Sequence, residues 1–394
     1  MRTAERENRG AGELEALVLL RCLPGLPDSR LRELLGQYGS ARAIVAAGAV
    51  ALGAEASAAM ESAAVRGRVA RALDSIARHG VRVLTEADPA YPTRLLALHD
   101  PPPVLFARGR LELLERPAIA IVGARRHTEY GRAVATAFAG ALARAGVVVV
   151  SGMARGIDAI AHEAALPGGT IGVLGCGIDV VYPREHAALH RRVAAAGLLL
   201  SEFPPGAPAL RYHFPKRNRL IAALSRGVLV VEASAKSGSL ITVDHALDLG
   251  LDVFAIPGPI DRPTSEGTNA LIREGAKLVT GVDDILDELG IARPTGLSAA
   301  GAGVGSGNAF DIAIGHHGTE ADPGAGGFGA GAPEPTGLDG PELALWRALG
   351  ERPRHVDELA AACALDPAGA LARLLTLELA GYARQLAGMR FVRG

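Results

Sequence analysis

Residues 118–131 read AIAIVGARRHTEYG: five apolar residues, a glycine, two arginines and then the start of a helical pattern. The run is apolar throughout rather than alternating, and it is too short to be a buried helix, so it reads as a strand buried on both faces. The same grammar recurs downstream in VVVVS (147–151), TIGVLG (170–175), LLLSE (198–202), VLVVEA (228–233) and DVFAIPG (252–258). Each run ends in glycine or a small polar residue, and most lead into an amphipathic helix. Strands of this kind separated by helices predict a parallel sheet covered on both sides. Residues 117–292 are therefore expected to form an α/β domain, an extended Rossmann-like, doubly wound parallel sheet.

The flanks read differently. Residues 1–85 form an N-terminal helical region, with ELEALVLLRCL, SRLRELLGQYG and an Ala-rich stretch as its helices. The turn PGLPDS offers Asp28 or Ser29 as a cap for the second helix. Helix–turn–helix units of this type are similar to SAM and helix-hairpin-helix modules, some of which bind DNA phosphates, although this turn carries no cation. Residues 86–116 read as a connecting segment, because Pro101, Pro102 and Pro103 exclude a regular helix. Residues 293–340 hold 14 glycines in 48 positions and a single cation, Arg293, and read as a flexible linker. Residues 341–394 give three helices and a hairpin turning at Ala387–Gly388, the winged-helix pattern. The third of these helices, near 366–379, carries one cation, Arg373, against Asp366 and Glu378, too few donors for reading a DNA groove.

Composition narrows the function classes. The chain has 394 residues, 49% of them hydrophobic, and a formal net charge of −1. It has no apolar run long enough for a membrane span and no hydrophobic signal core, so a cytoplasmic location is expected. The widely spaced Cys22, Cys176 and Cys363 suit neither a metal site nor a disulfide framework. Local charge is less even. Residues 117–226 carry 13 Lys or Arg against 6 Asp or Glu, whereas 227–292 carry 4 against 11. Such segregation suggests one basic face and a polyanionic ligand.

Ligands of open α/β sheets sit at the carboxyl ends of the strands. There the sequence places Gly123 and Arg125 after the first strand, and Ser151, Gly152 and Arg155 after the second. Lys236, Ser237, Gly238 and Ser239 follow the fifth. Glycine, serine and a cation beside a helix N-terminus favour phosphate. The GxGxxG fingerprint is absent, which argues against a dinucleotide enzyme. Asp158 and His162 share a helix face and could act as an acid–base pair, but local hydrogen bonding that ties helix to sheet is the simpler reading. No cofactor or metal is expected.

The stretch HFPKRNRLIAALS (213–225) concentrates Lys216, Arg217 and Arg219 at a helix start, where the dipole disfavours cations unless an anion is bound. Arg211, His213 and Phe214 are expected in an extended segment between Pro208 and Pro215. From there Phe214 could stack on an unpaired base, or else staple the helix to the core. On this reading Arg217→Ala and Arg211→Ala weaken binding and leave the melt nearly unchanged.

Taken in order, IVGARRHTEYG, VVVSGMARGIDAIAHEAAL, GVLGCGIDVVYP, GLLLSEFPPG, HFPKRNRLIAALS and VVEASAKSGSLITVDHAL resemble the bacterial DNA-processing protein A family (DprA/Smf). The resemblance covers roughly residues 13–290. It implies a non-enzymatic protein, commonly a homodimer, that binds and protects single-stranded DNA and loads the recombinase RecA in natural transformation. The implied DNA pocket comprises Arg125, Arg155, Arg211, Phe214, Arg217, Asn218, Arg219 and Lys236, Ser237, Gly238, Ser239. The related nucleotide phosphoribohydrolases carry a PGGxGTxxE signature that KSGSLITVD lacks, which leaves enzymatic hydrolysis as the alternative. A winged-helix transcription regulator is a third class and would bind one particular duplex site.

Overall fold

The computed structural model describes residues 2–291 and 338–393, apart from 339, 351–353, 364, 380–381 and 387–388. The chain divides into two compact units, one holding residues 2–291 and the other the described residues from 338 onward. The expected linker lies, but for Leu338 and Gly340, outside the described residues, as do both residues of the expected hairpin turn.

The first unit begins with six helices: α1 (Arg2–Cys22), α2 (Asp28–Tyr38), α3 (Ala41–Ala47), α4 (Ala49–Leu52), α5 (Ala54–Met60) and α6 (Ala63–His79). Ser40 and Ser62 cap α3 and α6 through their hydroxyls. Pro27, not Asp28 or Ser29, occupies the N-cap of α2; Asp28 is buried in its first turn and makes ion pairs instead.

Nine strands form one sheet, in the order β1-β2-β6-β5-β4-β3-β7-β8-β9. Strands β1 (Arg82–Leu84) and β2 (Leu105–Gly109) come from stretches expected to be helical and connecting. They pair antiparallel to each other, and β2 pairs antiparallel to β6, so they cover that sheet edge. The parallel core alternates as expected: β3 (Ala118–Val122), α7 (Glu129–Arg144), β4 (Val148–Ser151), α8 (Ile157–Ala165), β5 (Thr170–Leu174), α9 (Ala187–Ala196), β6 (Leu198–Ser201), α10 (His213–Ala223), β7 (Gly227–Val230), α11 (Leu240–Asp248) and β8 (Asp252–Ala255). Helix α12 (Glu266–Arg273), β9 (Lys277–Leu278) and α13 (Val282–Glu288) complete it. All residues of β3, β4, β5, β6 and β7 are buried, as their unbroken apolar runs require.

Strand order runs outward in one direction from β3 through β4, β5 and β6, and in the other from β7 to β9. The chain therefore reverses direction between β3 and β7, and the loops after these two strands diverge there. That opening is where open α/β sheets hold ligands. Apolar residues of α1, α2, α3 and α6 share one core cluster with Phe106, Met153, Leu174 and Leu199 of the sheet and its loops. The N-terminal helices are thus packed onto the sheet rather than tethered beside it.

The second unit contains α14 (Gly340–Ala348), β10 (Arg354–His355), α15 (Val356–Ala362), α16 (Pro367–Leu379), β11 (Ala383–Leu386) and β12 (Arg390–Arg393). Strands β11 and β12 pair antiparallel and β10 joins the far side of β12, closing a winged helix around Leu345, Leu359, Leu374 and Phe391.

Candidate functional site

A cavity of about 510 Å³ opens at the reversal between β3 and β7. Its walls are the loop after β3 (Gly123, Ala124, Arg125, Arg126), the start of α8 (Ala154, Asp158), one face of α10 and the loop into α11 (Ser234, Ser237, Gly238, Ser239). The first turns of α8, α10 and α11 all border it, so their positive dipole ends converge on one space. Gly123 is required by this closeness: a Cβ there would stand 2.8 Å from the Ile157 side chain and 3.0 Å from the Glu232 carbonyl. The α7 start is fixed from behind. Thr128 caps the helix, donates its hydroxyl to Glu232 (2.5 Å), and its backbone N–H reaches the same carboxylate at 3.0 Å.

Helix α10 divides the basic stretch in two. It begins at His213 with Pro215 in its first turn, so His213 and Phe214 are helical rather than extended. Phe214, Arg217, Asn218 and Ile221 fall at i, i+3, i+4 and i+7 and line the cavity. Lys216 and Arg219, three apart, point the other way. Lys216 meets Asp28 at 2.5 Å and Glu202 at 3.4 Å, and Arg219 meets Glu202 at 2.7 Å. Arg21 joins them by pairing with Asp28 and donating to the Glu202 carbonyl at 2.7 Å. Burial would pull the Lys216 pKa down, but Glu202 and Asp28 outweigh it and hold it above the ordinary value. These two cations are pinned to carboxylates and lie outside the cavity lining. The helical spacing contains this split, because i,i+3 neighbours share a face.

Arg217 is buried, at 3% exposure. It donates to the Gly152 carbonyl at 2.7 Å and to that of Val173, and Asp158 is its charged neighbour. Burial draws its pKa down to about 10 against the opposing pull of Asp158. The guanidinium thus ties α10 to the ends of β4 and β5 and leaves only an edge at the cavity. This position overturns the expectation that Arg217→Ala leaves the melt unchanged.

The remaining expected residues distribute as follows. Arg125 is exposed on the cavity rim, with Arg126 beside it. Arg155 is exposed but paired with Glu185 at 2.8 Å, and does not line the cavity. Arg211 and Lys236 are exposed and lie outside the lining. Ser237, Gly238 and Ser239 line it, and the hydroxyls of the two serines bond each other at 2.7 Å. Ser151 is turned into the core, its hydroxyl donating to the Ile121 carbonyl at 2.7 Å. The Gly152 N–H is occupied by Asp158 at 3.1 Å, so this glycine offers its amide to no ligand; a Cβ would collide with Arg217 and Asp158.

Phe214 is half-buried over Gly175, and its ring lies 5.1 Å from that of Tyr182. Tyr182, 49% exposed on the loop after β5, does not line the cavity but flanks Phe214 at its edge, a neighbour that strand and helix patterning does not mark. It comes to the rim only because β5 and α10 are adjacent in the fold. The pair offers an aromatic edge beside a basic, helix-ended cavity.

Asp158 and His162 do not bond each other. Asp158 accepts from the N–H groups of Gly152 and Ala154. Thr170 donates its hydroxyl proton to the Val149 carbonyl, so at 2.7 Å it must accept from His162 Nδ1. Burial, reinforced by Arg217, lowers the His162 pKa to about 3; burial and Arg108 lower that of His190 to about 4. As pH falls below ~6.5 the unfolded chain takes up protons that the native state refuses. Stability is therefore full above that value and declines on acidification, by up to about 1.4 kcal/mol per pH unit for each histidine. Thermal melts at pH 7 and pH 5 are expected to show a lower midpoint at pH 5; equal midpoints contradict this account.

Among the described residues no group of three or more His, Cys, Asp or Glu is placed to hold a metal ion. No described helix is long and apolar enough to cross a membrane. Burial raises the Cys176 pKa to about 11, so this thiol is no ready nucleophile.

Residues 82–290 match the family described as DNA recombination-mediator protein A, and 330–389 match the DprA winged helix domain. Protein Smf of Escherichia coli is 50% identical over 202 residues, 50% of this chain and 54% of that protein. The matched stretch thus spans little more than half of that relative's length. DNA processing protein DprA of Streptococcus pneumoniae is 47% identical over 203 residues, covering 51% of this chain and 72% of it. An X-ray structure of DNA processing protein A from Streptococcus pneumoniae superposes with a TM-score of 0.59 at 35% identity, covering 70% of this chain and 97% of that one.

Proposed function

Because the chain belongs to the DNA recombination-mediator protein A family (DprA/Smf), we propose that it processes DNA in transformation and recombination by holding single-stranded DNA in the switch-point cavity. The observation that carries this reading is the composition of the cavity wall. Arginines on the β3 loop, three helix N-termini and a half-buried phenylalanine surround a space large enough for a nucleotide unit. Phosphates suit the arginines and dipole ends, and an unpaired base suits Phe214 and Tyr182. A duplex keeps its bases stacked inside, so an aromatic edge favours a single strand.

The protein holds the strand and does not cleave it. Asp158, the carboxylate lining the cavity, is engaged by two backbone N–H groups and faces Arg217. On the same reading the protein acts as a homodimer that protects the strand and passes it to the recombinase RecA. The hydrolase alternative predicts release of free base from a nucleoside monophosphate.

Fluorescence anisotropy with a labelled oligonucleotide tests the proposal. Affinity is expected to fall steeply with salt, with a slope of about 0.7 per phosphate contacted. Phe214→Ala is expected to weaken single-strand binding by about 1–3 kcal/mol, the value of one stacked base, with unchanged salt slope. Equal affinity for duplex and single strand, or an unaffected Phe214 variant, counts against it.

A further inference from the structure

A second cleft, of about 650 Å³, lies between α6 and the loops that follow β5 and β6. Arg68, Arg71, Ser75 and Arg78 follow one helical face of α6 and line it, opposite the proline wall Pro204–Pro208. Its two carboxylates are already engaged. Asp74 pairs with Arg78, while Asp179 accepts from Ser75 (2.7 Å) and from the Gly206 N–H (2.7 Å). Arg68 and Arg71 are exposed, and no carboxylate among the described residues pairs with either. Arg68 is aimed by one bond, to the Cys22 carbonyl at 3.2 Å. The cleft therefore presents two unneutralised guanidiniums in a polar seam.

Its position suggests what they meet. The loops after β5 and β6 emerge from the same carboxyl edge of the sheet as the switch-point cavity. Tyr182, whose ring packs against Phe214 of the first cavity, is 49% exposed, and Tyr212, at the end of the stretch that carries the proline wall, is 67% exposed. The stretch from β6 to α10 (202–212), which carries the proline wall, runs directly into the helix that lines the first cavity.

We propose that Arg68 and Arg71 form a second phosphate-binding station, where single-stranded DNA leaving the switch-point cavity continues across the aromatic rim onto α6. This rests on the function proposed above. It makes the N-terminal helices part of the DNA path through the α6 face, not through the PGLPDS turn. The bound strand is then longer than the first cavity alone can hold.

The test compares the full-length protein with an Arg68→Ala/Arg71→Ala variant by anisotropy. One oligothymidylate is short enough to occupy only the switch-point cavity, and another is several times longer. Both side chains are exposed, so the melt should not move. For the long strand the variant is expected to lose about tenfold in affinity, and its salt slope should drop by about 1.4, for two phosphate contacts. The short strand should bind the variant and the parent equally. An Arg144→Ala control, at the far end of α7, should leave both strands unaffected. Unchanged binding of the long strand, or equal losses for both lengths, overturns the second station while leaving the first cavity standing. A parent protein that binds neither strand overturns both proposals.

Discussion

Replacing Arg217 with alanine is expected to lower the unfolding free energy by about 3–5 kcal/mol, because it removes one partner from a fully buried, charge-assisted network. The guanidinium bonds the carbonyls of Gly152 and Val173 and faces Asp158, which burial already pushes above the ordinary carboxylate range. Without Arg217 the two carbonyls lose their donor and Asp158 loses its counter-charge. Asp158 and Arg217 border the cavity but are almost wholly covered, so solvent recovers only part of either cost. DNA binding should fail along with the fold of the α10 region, so the variant's affinity says little about phosphate contact. Arg217→Lys retains charge but not the planar fork and should fall between the two. Denaturant titration checks the result, and a variant within about 0.5 kcal/mol of the parent would contradict the buried placement.

Glu202→Ala is expected to have an effect of similar size, about 3–5 kcal/mol. Its carboxylate is fully buried, bonds Arg219 at 2.7 Å and lies 3.4 Å from Lys216. Arg219 is itself 90% covered, so removing Glu202 strands a cation, with Asp100 at 4.0 Å as its nearest remaining carboxylate. Lys216→Ala should cost much less, since that side chain is 37% exposed and its partner Asp28 keeps Arg21. If Lys216 and Arg219 held phosphates instead, their loss would weaken DNA binding and Glu202→Ala would strengthen it. Denaturant melts and anisotropy on the same pair of variants separate these outcomes.

The residues whose pattern was legible share one property: their environment is set by period. The runs at 118–122, 148–151, 170–174, 198–201, 227–230 and 253–255 are buried on both faces, and no alternative element buries them so fully. Strands β1 and β2 were not legible, because RVL and LFARG are short, and LFARG takes its pairing from the distant β6 while RVL pairs with LFARG. The basic stretch shows the same division. Its cation density is visible in sequence, but which cation faces ligand depends on carboxylates supplied by distant segments, Asp28 from α2 and Glu202 after β6. The helical phase of 214, 217, 218 and 221 names the cavity face; only the fold reveals that Arg217 is buried there. Helical spacing puts Arg68 and Arg71 on one face and Tyr182 lies near the end of the GCGIDVVYP stretch, but the partners that give either a role come from other elements.

On the proposed function, the switch-point cavity holds single-stranded DNA against Phe214 and Tyr182. Photo-crosslinking with an iodouracil-substituted single strand, followed by mass spectrometry of the digested protein, tests it most directly. Crosslinked peptides containing Tyr182 or Phe214 are expected, lost on competition with unlabelled single strand and retained with duplex. Crosslinks confined to the winged-helix unit, or to surfaces away from the carboxyl edge of the sheet, would contradict it.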